Sequence, residues 1–205
     1  MPCSVDGIFF YWLSWMGWIV ATFLMPKTPR RWKVAAIILI SILLSGMNMH
    51  MAQFSCSYTA LFLVGVACVY ASGYSRFQQL YYVIVCGIII IAYAGFCLLE
   101  LYDPVWIFID RKWILTGLIL YICFMVIKDA EKRFAAIILG VVGGDFLYAV
   151  VIRDIASYEV GSLRTLDVLA TAVGAMFIWE MLVYFSAYLD LYVLKSHRQK
   201  QSTYK

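Results

Sequence analysis

The sequence predicts an all-α fold, a polytopic transmembrane helix bundle of about seven spans with the N-terminus outside the cytoplasm and the C-terminus inside. Three observations predict it. Hydrophobic residues make up 64% of the 205 positions and charged residues 14%, against roughly 45–50% and about 25% in soluble domains. The apolar residues fall into seven runs, about 7–25, 33–51, 56–72, 79–99, 112–127, 134–152 and 166–191, each bounded by charge, proline or polar clusters. The segments between runs carry most of their lysine and arginine on alternate sides. A run of about 20 residues crosses an apolar layer of roughly 30 Å, so the runs leave residues 1–194 as one bundle and 195–205 as a basic cytoplasmic tail.

Only helices or closed barrels satisfy the backbone in lipid, and apolar runs without polar alternation exclude a barrel. The first run has no cation before it, and Lys27, Arg30, Arg31 and Lys33 follow it. A cleavable signal peptide has the reverse order, so this run reads as a retained helix entering from outside. In the second run, Ser41 and Ser45 with Gly46 and Asn48 form a small polar stripe suited to the bundle interior. The third and fifth runs are short, but omitting either would turn basic loops outward. Aromatic residues such as Trp12, Trp32, Tyr58, Tyr81 and Trp113 sit near run ends, where amphipathic rings settle at the membrane interface.

The predicted inner segments hold twelve of the sixteen cations, including Arg76, Lys128, Lys132, Arg133, Lys195, Arg198, Lys200 and Lys205. The outer ones hold Arg111, Lys112, Arg153 and Arg164 and collect Asp6, Glu100, Asp103, Asp110, Asp154 and Glu159. That asymmetry follows the positive-inside rule. The formal net charge of +4 is therefore a topology signal and does not point to nucleic acid. The basic tail is expected to be poorly ordered, with Lys195, Arg198, Lys200 and Lys205 placed for contact with anionic lipid. The six cysteines stand singly, without C-x-x-C or metal-ligand spacing. Cys3, Cys56 and Cys97 all fall at the predicted outer face, and spacing alone does not decide whether any of them pair.

Two acids lie within apolar runs: Asp145 in Gly143-Gly144-Asp145-Phe146 and Glu180 in Trp179-Glu180-Met181. An ionised carboxylate at a helix centre costs about 2.5–3.5 kcal/mol on insertion scales, so both are expected to face the bundle interior with a partner or a proton. Each stands 11 residues from the inner end of its run, or about 16 Å. Neighbouring helices six and seven could therefore bring the two carboxyl groups together, and one would then hold a proton. Tyr148 at i+3 from Asp145 and Tyr184 at i+4 from Glu180 are the hydroxyls on the same faces. A proton or cation relay and a hydrogen-bonded helix lock both fit these residues. Gly140-x-x-x-Gly144 and Ala170-x-x-x-Gly174 are small-residue patterns that permit close packing of helix seven on helix six.

No cofactor or metal is expected. His50 lies at the outer end of run two and His197 in the tail, which does not serve a bis-histidine haem. No lysine stands at membrane depth for a retinal Schiff base, and no esterase elbow, zinc-protease, P-loop or dinucleotide motif occurs. The outer acids lack calcium-loop spacing.

The opening Asp6-Gly-Ile-Phe-Phe-Tyr-Trp12, then Trp15-Met-Gly-Trp18 and Thr22-Phe-Leu-Met-Pro-Lys27, resembles the N-terminal helix of the YphA-like membrane proteins of endospore-forming bacilli. Length, basic tail and layout are also similar across the whole chain. The resemblance implies a multi-pass protein of the bacterial cytoplasmic membrane and carries over no functional residues. The reading drawn from all of this is a non-catalytic accessory or interaction protein of the envelope, with the lipid bilayer and either a second copy or another membrane protein as partners. The alternatives are a small proton- or cation-coupled carrier using Asp145 and Glu180, and an intramembrane enzyme. Gly143-Gly144-Asp145 comes near the Gly-x-Gly-Asp context of presenilin-like proteases without matching it.

Overall fold

The computed structural model describes residues 6–51, 54–103, 110–154 and 158–203, with backbone alone described at 50, 51, 54 and 190–203. Cys3 and Lys205 lie outside the described residues, as do the side chains of Lys195, Arg198 and Lys200. Seven α-helices occur among the described residues: α1 Ile8–Ile19, α2 Pro29–Leu44, α3 Tyr58–Ser72, α4 Arg76–Tyr102, α5 Arg111–Val126, α6 Ala130–Ile152 and α7 Leu163–Thr203. The chain forms two compact units, Met1–Val173 and Gly174–Lys205.

Sequence explains the helix ends. After α1 the backbone continues as a π-helical turn, Val20–Leu24, closed by Met25 N–H on the Val20 carbonyl at 3.2 Å. Pro26 stops it there, because a proline drives the preceding residue out of helical geometry, and Met25 is extended. Pro29 opens α2, a position that needs no N–H donor. At the end of α5, Arg133 donates to the carbonyls of Ile127 at 2.6 Å and Lys128 at 3.0 Å. These carbonyls belong to the turn just past α5, so Arg133 ties that turn to α6.

The second run departs from expectation. Its helix ends at Leu44 rather than near residue 51, and Asn48–Met51 forms strand β1. β1 pairs antiparallel with β2, Phe54–Ser57, and β2 pairs parallel with β3, Glu159–Val160, in the order β1-β2-β3. The alternating methionines at 47, 49 and 51 are as apolar as a helix end, and short apolar runs do not separate helix from strand. At the other end of the chain, the basic segment expected to be poorly ordered continues α7 as helix to Thr203.

In the unit Met1–Val173, α6 is the central helix. Ala136, Ile137, Val141, Asp145 and Ala149 are all at most 1% exposed. Glycine sets its distance from α4: a Cβ on Gly144 would lie 2.6 Å from Cβ of Tyr93, and one on Gly143 2.7 Å from Ile90. Gly140 meets Ile89 in the same way. The small-residue face of α6 therefore receives α4, not helix seven as the sequence suggested. Lipid tails are as apolar as leucine, so such close van der Waals packing supplies most of the attraction between helices.

Loop contacts sort into two ends. At one end Asp6 meets Arg164 at 3.4 Å, Asn48 meets Glu159 at 3.5 Å, and Arg111 meets Glu100 at 3.1 Å. At the other, Arg30 pairs with Glu131 at 2.7 Å, Tyr70 donates to Glu131, and Tyr81 donates to the Val126 carbonyl at 2.7 Å. These groups match the outer and inner sets drawn from the sequence. Three helical stretches are long and apolar enough to cross a membrane, Arg76–Tyr102, Ala130–Ile152 and Leu163–Leu189, with shorter apolar helices at Ile8–Leu24 and Tyr58–Ser72.

In the unit Gly174–Lys205, α7 continues to Thr203. Its residues Phe177–Leu182 include the half-buried Glu180, and Tyr184 one turn on is 72% exposed.

Candidate functional site

Asp145 is wholly buried on α6, seven residues before that helix ends. Its Oδ1 accepts the Tyr158 hydroxyl at 2.7 Å and its Oδ2 accepts the Gly161 N–H at 2.7 Å. The Thr165 hydroxyl hydrogen-bonds into the same group. Tyr158 and Gly161 belong to the return segment between α6 and α7, and Thr165 to the first turn of α7. That segment folds back into the bundle because β3 pairs with β2 at Ser55 and Cys56.

Gly161 is required by this geometry. Its φ is +71°, in the left-handed region, and a Cβ there would strike the Cβ of Ala60 on α3. Only glycine presents its N–H to Asp145 without that collision. Tyr158 lies outside the spanning helices. Burial pushes its phenol well above the ordinary tyrosine range, and the Asp145 carboxylate raises it further. Tyr158 therefore keeps the proton it donates. The sequence offered Tyr148 as the hydroxyl beside Asp145. Its ring instead packs edge-on against the Tyr158 ring, with centroids 5.1 Å apart, and so holds the donor in place.

A second buried carboxylate escaped the sequence reading. Asp167, in the first turns of α7 and 5% exposed, accepts Gly7 N–H at 2.8 Å and Phe10 N–H at 2.7 Å. It satisfies the open donors at the start of α1. Thr171 donates to the Asp167 carbonyl at 2.9 Å, and its hydroxyl also meets Thr116 of α5 at 2.8 Å. The available signal was an acid one residue inside an apolar run, with no cation within a helical turn on the run side.

A third polar group closes the same end. Arg111 at the start of α5 lies 3.1 Å from Glu100 at the end of α4 and donates to the Cys97 sulfur at 3.0 Å. Cys56 and Cys97 are free thiols. Among the described residues no group of three or more His, Cys, Asp or Glu side chains is placed to hold a metal. Chemically, the three clusters are donor-and-acceptor locks: those of Asp145 and Arg111 fasten consecutive segments, and that of Asp167 joins the two ends of the unit.

Residues 6–202 match the family of YphA-like integral membrane proteins. The chain belongs to that family. Among curated proteins it is similar to the Uncharacterized protein YphA of Bacillus subtilis, 31% identical over 175 residues, which covers 84% of this chain and 86% of the relative. No solved structure matches. Family membership makes the chain an integral, multi-pass protein of a bacterial cell membrane in contact with the lipid bilayer. The match spans α1 to α7, so the Asp145 and Asp167 clusters lie within it.

Proposed function

We propose that the protein is a non-catalytic accessory or interaction protein of the cytoplasmic membrane, spanning it seven times with the N-terminus out and the C-terminus in. In this reading Asp145 is a structural lock. The observation that carries it is the closure of its carboxyl group: both oxygens are occupied, by Tyr158 and Gly161, and the group is wholly buried. A relay acid needs a water path and a site for the transferred ion. The orientation rests on the basic segments, with the Arg30–Glu131 end in the cytoplasm. The segment that carries Lys195, Arg198 and Lys200 continues α7 as helix, and in this reading it is on the cytoplasmic side, where cations meet anionic lipid.

Carboxyl-stretch infrared difference spectra of the wild type against Asp145→Asn, titrated from each side of a bilayer, test this. A lock gives a band that is unchanged across neutral pH, and a variant whose main defect is lower thermal stability. A band that titrates near neutral pH from one face overturns the reading in favour of a proton path.

A further inference from the structure

Two hollows in the unit Met1–Val173 share a wall residue. The larger, about 730 Å³, is an open groove between α3 and α4 floored by α6. Its walls include Ala60, Val64 and Cys68 of α3, Val83 and Gly87 of α4 and Val142 of α6. The smaller, about 220 Å³, lies at the basic end, where α4 begins and α5 turns into α6. Tyr74, Gln78, Tyr82, Lys128 and Lys132 line it, and Tyr82 borders the groove as well.

The small pocket has the chemistry of an anion site. Lys128 is exposed at its rim. Its one lining carboxylate, Asp129, is held by Lys132 at 2.6 Å, and the next acid, Glu131, is paired with Arg30. Tyr82 is 95% buried, yet its hydroxyl has no partner of hydrogen-bond geometry, only the weakly polar Cys86 thiol beside it. The Tyr74 hydroxyl, on a half-buried side chain, is also enclosed, with the Tyr70 hydroxyl beside it. A buried hydroxyl left without an acceptor is costly, and a phosphate oxygen is an acceptor. The groove, by contrast, is apolar and runs along two apolar helices. Gly87 keeps it open, since a Cβ there would have nothing within 4 Å.

We propose that the protein holds one anionic phospholipid of the leaflet at its basic end, with the phosphate in the Tyr74, Tyr82 and Lys128 pocket and an acyl chain in the α3–α4 groove. The headgroup selects by charge and the groove by shape. This goes beyond the accessory reading and does not depend on it.

Full-length protein in neutral detergent is titrated with phosphatidylglycerol, phosphatidylcholine or inorganic phosphate, with bound lipid counted by native mass spectrometry and thermal unfolding followed in parallel. Phosphatidylglycerol is expected to be retained over phosphatidylcholine. Lys128→Gln should weaken phosphatidylglycerol about fivefold, the loss of one cation at a membrane surface, and should narrow its advantage over phosphatidylcholine, whose choline offsets its own phosphate. Tyr82→Phe should act in the same direction. Gly87→Leu should weaken both lipids while its melting temperature in lipid-free detergent is no lower than that of the wild type. Equal retention of the two lipids by the wild type, or indifference of both Lys128→Gln and Gly87→Leu, overturns the proposal. So does displacement of the lipid by inorganic phosphate at equal concentration, which would assign the pocket to the free anion.

Discussion

The N–H of Phe10 and the carboxylate of Asp167 meet at 2.7 Å across a separation of 157 residues. The first turn of α1 is thus capped by α7 and not by its own preceding residue, Gly7, which has no side chain to offer. Helix starts are usually capped locally by Ser, Thr, Asp or Asn. A distant cap gives the same hydrogen bonds and also fixes where the helix docks. The carboxylate stands at the N-terminal end of α1, where the backbone dipole favours negative charge.

Asp167→Ala should therefore cost about 3 kcal/mol, the scale of hydrogen bonds to a charged group. Asp167→Asn, which keeps one acceptor, should cost less. Unfolding in detergent measures the loss, and protease sensitivity of the Gly7–Phe10 segment reports whether α1 has come away. A Asp167→Ala protein within roughly 0.5 kcal/mol of the wild type, the range of neutral surface changes, would show that the fork does not hold α1.

The contact between Gly161 and Ala60 makes a paired prediction. Gly161→Ala adds a methyl group into the Ala60 side chain and places a Cβ at φ +71°. The clash should be removed by Ala60→Gly in the same chain, while the left-handed backbone leaves a residual cost of about 1–2 kcal/mol. Melting temperatures of the two single variants and the double variant check it. Additive losses, with no rescue, would mean that the two residues do not touch.

Tyr158 gives a dependence on pH. Burial, and then the Asp145 charge, hold its phenol above the ordinary value, which is about 10 in an unfolded chain. A group raised in the folded state contributes stability that is complete below its unfolded pKa and is lost as pH rises through the folded one. Stability should accordingly be insensitive to Tyr158 up to about pH 10 and decline in more alkaline solution. The difference in tyrosinate absorbance between the wild type and Tyr158→Phe isolates the one phenol. Ionisation of that phenol together with the exposed tyrosines would refute its enclosure.

What the sequence made legible follows from what carries a long-range signal. Seven apolar runs and the alternation of Arg30, Lys128 and Lys132 with Asp6, Glu100 and Glu159 identified seven helices and two groups of loops, because hydrophobicity and charge act residue by residue. The β1–β2 hairpin was hidden, since Met49 and Met51 read the same in a strand as in a helix. Asp145 was found as a buried acid, but its donors were not: Tyr158 and Gly161 reach it through a return segment whose path is set by pairing with β2. Asp167 lay too near a helix end to stand out. The partner of the α6 glycines was misjudged because adjacency in sequence favoured helix seven, whereas the chain places α4 there.

That last correction separates glycines that matter from those that do not. A methyl group on Gly144 would meet Cβ and the first ring atoms of Tyr93, which cannot move without α4 moving. Gly144→Ala should therefore destabilise by about 1–3 kcal/mol, the cost of overpacking. On α3, a Cβ at Gly65 would have nothing within 4 Å. Gly65→Ala removes the conformational penalty of glycine in a helix and should stabilise by about 0.5–1 kcal/mol. Opposite signs at two glycines in one bundle are a sharper test than either value alone. If the glycines acted only through helix propensity, both substitutions would raise stability, and the close approach of α4 to α6 would have no energetic consequence.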